Sequence, residues 1–126
     1  TKELKEIQKE CLKLNKTMNI LIELHLTNED TKNGVSLNEL DNLIKEIDNY
    51  PNIILKGFMT MGPLSENIKE TEEVFIKAQK IYLKYKEIIP SIDTLSMGMS
   101  SDYELAIKYG STLIRLGTIL FGKRNY

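Results

Sequence analysis

Residues that could do chemistry gather toward the carboxyl end of this 126-residue chain. Ser100 follows the apolar run Leu95-Ser96-Met97-Gly98-Met99 and stands directly before a short helical pattern. A hydroxyl at the carboxyl end of a strand, with backbone N–H groups beside it, can take an anion; a plain helix cap is the other reading. Gly117-Thr118 repeats that logic after Leu113-Ile114-Arg115-Leu116, since glycine lets an oxyanion approach the backbone and threonine adds a hydroxyl. Alone, this dipeptide is equally a turn with a cap. Two such sites on adjacent strands form a phosphate cup, at the end of a parallel sheet where ligands bind. Arg115 lies in an otherwise apolar strand that a parallel sheet would bury, and a buried charge without a partner is costly. It therefore needs either a carboxylate inside the protein or a ligand.

Other candidates carry less. His25, near the end of an early apolar run, could line the same mouth. No second histidine or cysteine stands at ligand spacing, so no metal centre is expected. Cys11 is the single cysteine and falls on a helical apolar stripe, which reads as a packed thiol in a cytosolic protein. Met59, Met61, Met97 and Met99 alternate along two strands, and core packing is the default for them. A Schiff-base lysine would have to stand desolvated at a strand end. Lys56 lies inside a strand near its start, Lys32 in a loop and Lys108 near a helix end, so none fits that place.

The elements that must position these groups follow from periodicity. Leu4, Ile7, Cys11 and Leu14 fall at helical spacing across residues 2–14. Ile20–Leu26 reads as a strand covered on both faces, followed by a polar loop through Asn33-Gly34. Ser36 and Glu39 have the spacing of a capping box, opening a helix with Leu40, Leu43, Ile44 and Ile47 on one face; Tyr50-Pro51 ends it. A second strand spans Ile53–Thr60. The longest helix runs from about Asn67 to Ile89, with Val74, Phe75, Ala78, Ile81, Tyr82, Tyr85 and Ile88 as its buried stripe. Ile92–Met99 is the third strand. Ser101 and Glu104 predict a second capping box, on a helix that Gly110 closes in the left-handed conformation. Thr112–Leu116 is the fourth strand.

Strands alternating with helices predict an α/β protein with a parallel sheet. A complete barrel of eight such units takes about 250 residues, so this chain has the length of half a TIM-type (β/α)8 barrel. An open half would expose two edges and an apolar inner face. The expected partner is therefore the missing half or a second copy of the chain.

The motifs also carry a family resemblance. Leu95 through Asp102, Ala106-Ile107, Gly110-Ser111-Thr112, Arg115-Leu116-Gly117-Thr118 and Phe121-Gly122-Lys123-Arg124 resemble the signature of the pyridoxal-phosphate homeostasis proteins. That family is a single barrel similar to the cofactor domain of alanine racemase. Upstream, Ile20–Leu26, Thr31-Lys32-Asn33-Gly34 and Leu55 through Pro63 agree with it. The resemblance covers nearly the whole chain but only the family's carboxyl-terminal half, the last four βα units of its (β/α)8 barrel, and so makes the amino-terminal half the missing partner. The half that carries the Schiff-base lysine is absent.

The resemblance implies pyridoxal 5′-phosphate (PLP) as ligand, with Ser100, Gly117 and Thr118 on the phosphate and Arg115 hydrogen-bonded to the ring nitrogen. Arginine does not deprotonate, so that nitrogen would stay an unprotonated acceptor and the ring a poorer electron sink. The implied function is a PLP carrier of vitamin B6 homeostasis without turnover. A PLP-dependent racemase or decarboxylase on the same barrel is the rival, and would draw a second acid–base residue from elsewhere. A structural half-barrel with a generic phosphate pocket is the plainest alternative. His25 stands where a family asparagine or similar residue is expected, and residues 31–34 match the family's Ser-Lys-Xaa-Gly loop; neither is given a role.

Totals exclude several classes. Seventeen basic against eighteen acidic residues leave a net charge of −1, with no basic field for nucleic acid or anionic membrane. No apolar run approaches the roughly 20 residues that span a bilayer. No charged-apolar-small leader opens the chain, and it begins at Thr1, pointing to a truncated or cleaved product of cytoplasmic location.

Overall fold

Apolar residues recurring at two periods, helical and alternating, build this fold. The computed structural model describes residues 2–26, 37–63 and 67–115. Its elements are α1 (Lys2–Leu14), β1 (Met18–Glu23), α2 (Leu37–Ile47), β2 (Ile53–Met59), α3 (Ile68–Ile88), β3 (Thr94–Met99), α4 (Tyr103–Lys108) and β4 (Leu113–Arg115). The strands form one parallel sheet in the order β1-β2-β3-β4, as the alternation of elements predicts.

One apolar cluster joins the helices to the sheet. Ile22, Leu24, Ile53, Leu55, Phe58, Leu95 and Met97 supply the sheet side; Leu4, Leu40, Phe75, Ala78, Tyr82 and Ala106 supply the helix side. Each fully buried large side chain removes about 1.5–3 kcal/mol worth of surface from water, so this layer dominates stability. The opposite face of the sheet carries Leu21, Glu23, Met59, Met99, Leu113 and Arg115, none of them buried. Alternation along each strand produces this division.

Two irregularities shift that alternation. Ile20 pairs with Leu55 but Leu21 with Gly57, so β2 holds one extra residue. Ser96 pairs with Leu113 and Met99 with Arg115, so β3 holds another. Both bulges contain a glycine at positive φ: Gly57 at 154° and Gly98 at 107°. A Cβ on Gly57 would stand 1.7 Å from the Thr94 carbonyl oxygen, and one on Gly98 would stand 2.7 Å from the Ala106 Cβ. Only glycine permits either approach.

Several boundaries differ from the sequence reading. β1 starts earlier, at Met18, whose N–H donates to the Asn52 carbonyl at 2.8 Å. Asn52 is itself fixed by Gln8, through two hydrogen bonds of 3.0 Å each. β3 starts at Thr94, because Ile92 is drawn into a turn by its N–H bond to the Ile89 carbonyl. α3 is capped by Asn67, whose side chain accepts from the Lys69 N–H. The expected Ser101–Glu104 capping box does not form: the cap residue of α4 is Asp102, and its side chain makes no cap hydrogen bond. Ser36 of the other expected box lies outside the described residues. Gly110, at φ 90°, closes α4 as expected.

The burial readings need correction too. Arg115 is exposed, because β4 is the edge strand and its neighbour Leu113 is 50 % exposed. Of the four strand methionines only Met97 is buried; Met61 and Met99 are exposed. Leu14 and Ile88, at the ends of their helices, are exposed rather than packed. Cys11 is buried, as expected.

α2 and α3 are tied by Tyr85, whose hydroxyl donates to Asp41 and whose ring lies 5.8 Å from that of Phe58. Burial, then the Asp41 acceptor, push the Tyr85 phenol up from 10.0 to about 12. Its raised value means the folded state favours the protonated phenol. That contribution is complete below pH 10.0 and is lost as pH rises through about 12. Urea midpoints measured across this window should fall more steeply for the wild type than for Tyr85→Phe; parallel curves would contradict the assignment. Gly57→Ala should cost about 3 kcal/mol or more, read as a drop in the urea midpoint, because the new Cβ cannot coexist with the Thr94 carbonyl. An unchanged midpoint would show that the β2–β3 approach is not as tight as described.

Candidate functional site

The carboxyl ends of the strands meet on one side of the sheet. Thr60 ties two of them to the middle of β3: its N–H donates to the Ser96 carbonyl at 3.0 Å and its hydroxyl to the Leu24 carbonyl at 3.3 Å. It is fully buried, so the ends of β1 and β2 are fixed relative to β3. β4 is fastened to β3 at its other end. The Leu95 N–H donates to the Thr112 hydroxyl at 2.8 Å, and Ser111 donates to the Met97 carbonyl at 2.6 Å. Sequence reasoning placed Ser111 only within a motif and Thr112 at the start of the strand; their hydroxyls are what register the edge strand.

Ser100 sits in the turn that follows β3, half-buried. Arg115 ends β4 as described, and its partner across the ladder is Met99, the residue before Ser100. The two groups therefore stand at neighbouring strand ends. Ile114 faces the helix layer: its Cγ2 lies 3.0 Å from where a Cβ on Gly98 would stand, beside Ala106. Alternation then puts Arg115 on the other, helix-free face. Gly117 and Thr118 lie outside the described residues, as does the loop of residues 31–34. His25 is half-buried just beyond β1 and makes an interaction of its own.

Asp102 is the residue the sequence reading missed. Its carboxylate Oδ1 accepts the Met99 N–H at 2.7 Å, while its own N–H donates to the Met99 carbonyl at 3.1 Å. Ser100 and Ser101 are enclosed between these two bonds. The signal was present as an aspartate three residues after a strand end, but serine and glutamate at capping-box spacing competed for the same reading.

An open depression of 1140 Å³ lies beside this turn, between the start of α3 and α4, with Pro63, Thr71, Ser100, Asp102 and Lys108 in its lining. Ser100 is the one candidate ligand group it includes. Two lysines weighed in the sequence reading are engaged with other side chains. Lys56 pairs with Asp93 at 2.8 Å near the amino end of β3 and, with the Thr94 hydroxyl, holds that carboxyl below its ordinary value of 3.8. Lys108 lies over the Tyr109 ring at 5.4 Å. Among the described residues no group of histidine, cysteine and carboxylate side chains could hold a metal ion.

The β3 and β4 ends bring together two hydrogen-bond donors able to meet an anion: a hydroxyl within a two-residue turn and, one ladder step away, a guanidinium on the helix-free face.

Comparison with known proteins shows which chains this one is similar to. The pyridoxal phosphate homeostasis protein of Haemophilus influenzae is 41% identical over 111 residues, which are 86% of this chain and 47% of that protein. The protein of the same name from Aquifex aeolicus is 38% identical over 122 residues, 96% of this chain and 54% of its own. The chain thus spans about half the length of the curated relatives it matches. Among solved structures, PipY of Synechococcus elongatus with PLP bound superposes with a TM-score of 0.80 at 27% identity, over 91% of this chain and 54% of PipY. The profile of the alanine racemase N-terminal domain matches residues 1–125, and the chain belongs to that family.

Proposed function

We propose that this chain is the carboxyl-terminal half of a PLP-binding (β/α)8 barrel, in which it holds the cofactor's phosphate and ring for a carrier or homeostasis role without turnover. The observation that carries the reading is the register of β3 and β4, which sets Arg115 opposite the residue before Ser100. Its relatives' names and the PLP bound to PipY support the choice of ligand. A span of about half those relatives, together with an uncovered sheet face, supports the half-barrel, with the other half as partner on that face.

In this reading the Ser100 hydroxyl and the N–H groups of its turn take the phosphate, joined by Gly117 and Thr118. Arg115 donates to the ring nitrogen and keeps it an acceptor, since a guanidinium has no proton to give up at accessible pH. When bound, PLP supplies an electrophilic aldehyde and a ring that withdraws electrons. The chain's own contribution is to grip and orient. None of its described lysines stands at a carboxyl strand end, so we read the Schiff-base lysine as belonging to the other half. A buried free thiol, and no described helix long and apolar enough to cross a membrane, fit a cytoplasmic setting.

Calorimetric titration tests this. PLP should bind more tightly than unphosphorylated pyridoxal, and Arg115→Met should weaken PLP about tenfold, the loss expected for one charge-assisted hydrogen bond. Equal affinity of wild type and Arg115→Met would leave only a generic phosphate pocket. Racemisation of alanine by the full-length, PLP-loaded parent would replace the carrier with an enzyme.

A further inference from the structure

We propose that Asp102 is the positioning residue of the phosphate cup, a carboxylate that fixes the Ser100 turn without touching the ligand. The inference rests on the PLP reading above and deepens it. Three observations support it. First, Asp102 closes the turn twice, accepting the Met99 N–H at 2.7 Å through Oδ1 and donating its own N–H to the Met99 carbonyl at 3.1 Å. Only Ser100 and Ser101 lie between those bonds, so the backbone that carries Ser100 and its N–H is held by Asp102.

Second, the carboxylate is wedged from the β2 side. Its Oδ2 lies 3.1 Å from where a Cβ on Gly62 would stand, with Thr71 of α3 3.4 Å from the same point. The carboxylate therefore stands close to the backbone that follows β2, beside the same space that Thr71 of α3 borders. Third, Asp102 does not use its carboxylate for α4, although it occupies the cap position where an aspartate ordinarily bonds the first free N–H groups.

The choice of residue has an electrostatic cost. A carboxylate beside a phosphate site repels the ligand, so its value there is geometric: it supplies a strong acceptor at a fixed point. The two contributions separate by substitution. Asp102→Asn keeps the acceptor and removes the charge, whereas Asp102→Ala removes both.

The test follows the Ser100 amide by nitrogen-15 NMR of the intact chain, titrated with inorganic phosphate and separately with PLP. Asp102→Asn should bind both as tightly as wild type or more tightly. Asp102→Ala should bind both about tenfold more weakly, as expected for a lost charge-assisted bond. A residue that only stabilises the fold would lower the urea midpoint and leave the affinity of the folded protein unchanged, which would overturn the proposal. So would Asp102→Asn binding as weakly as Asp102→Ala. Should Asp102→Ala not fold, Gly62→Ala decides: its new Cβ presses on Oδ2 from β2 and should weaken phosphate binding, and unchanged affinity overturns the inference. A wild-type chain silent to both probes would overturn the phosphate reading itself, and this one with it.

Discussion

Everything at the carboxyl mouth depends on how closely two glycines let backbones and side chains approach. Gly57 passes so near the Thr94 carbonyl that no side chain fits, and Gly98 lies hard against Ala106 and Ile114. Each sits in a bulge that changes which way the following residues point. Unbroken alternation along β3 would send Met99 into the core with Leu95 and Met97. It is instead 43 % exposed, paired with Arg115 on the helix-free face. The placement of the arginine relative to Ser100 is thus set by a glycine that touches neither.

That arrangement explains why the cup and the helix layer do not compete. The core draws on alternate residues of each strand, and the glycines reset the phase just before the carboxyl ends. Thr60 then ties the ends of β1 and β2 to Ser96 within β3, while Ser111 and Thr112 fasten β4 lower down. The groups that the proposed reading offers to a ligand are the Ser100 hydroxyl and the Arg115 guanidinium. Exposure of Arg115 on an edge strand also answers the energetic objection to a buried charge, since water solvates it until a ligand or partner covers it.

Much of this was legible in the sequence, and the reasons are specific. Helical spacing in α2 and α3 and apolar runs in β2 and β3 located those elements within a few residues, because burial leaves a periodic trace. Ser100 was legible as a hydroxyl closing an apolar run ahead of a helix, and Arg115 as a charge inside an apolar strand. The bulges were not, since a glycine within a strand does not declare whether it marks a bend, a close approach or nothing. Arg115 was misjudged as buried because strand order, which makes β4 an edge, is not written in β4 itself. Asp102 was passed over because its bond runs backward to Met99 across a turn, a three-dimensional fact that capping statistics do not encode.

The central claim is that one phosphorylated ring spans the ends of β3 and β4. A crystal structure of the chain with PLP tests it most directly. The account predicts phosphate oxygens within hydrogen-bonding distance of the Ser100 hydroxyl and the ring nitrogen facing the Arg115 guanidinium. A ligand lodged instead in the depression between α3 and α4, with Arg115 turned to solvent, would contradict it.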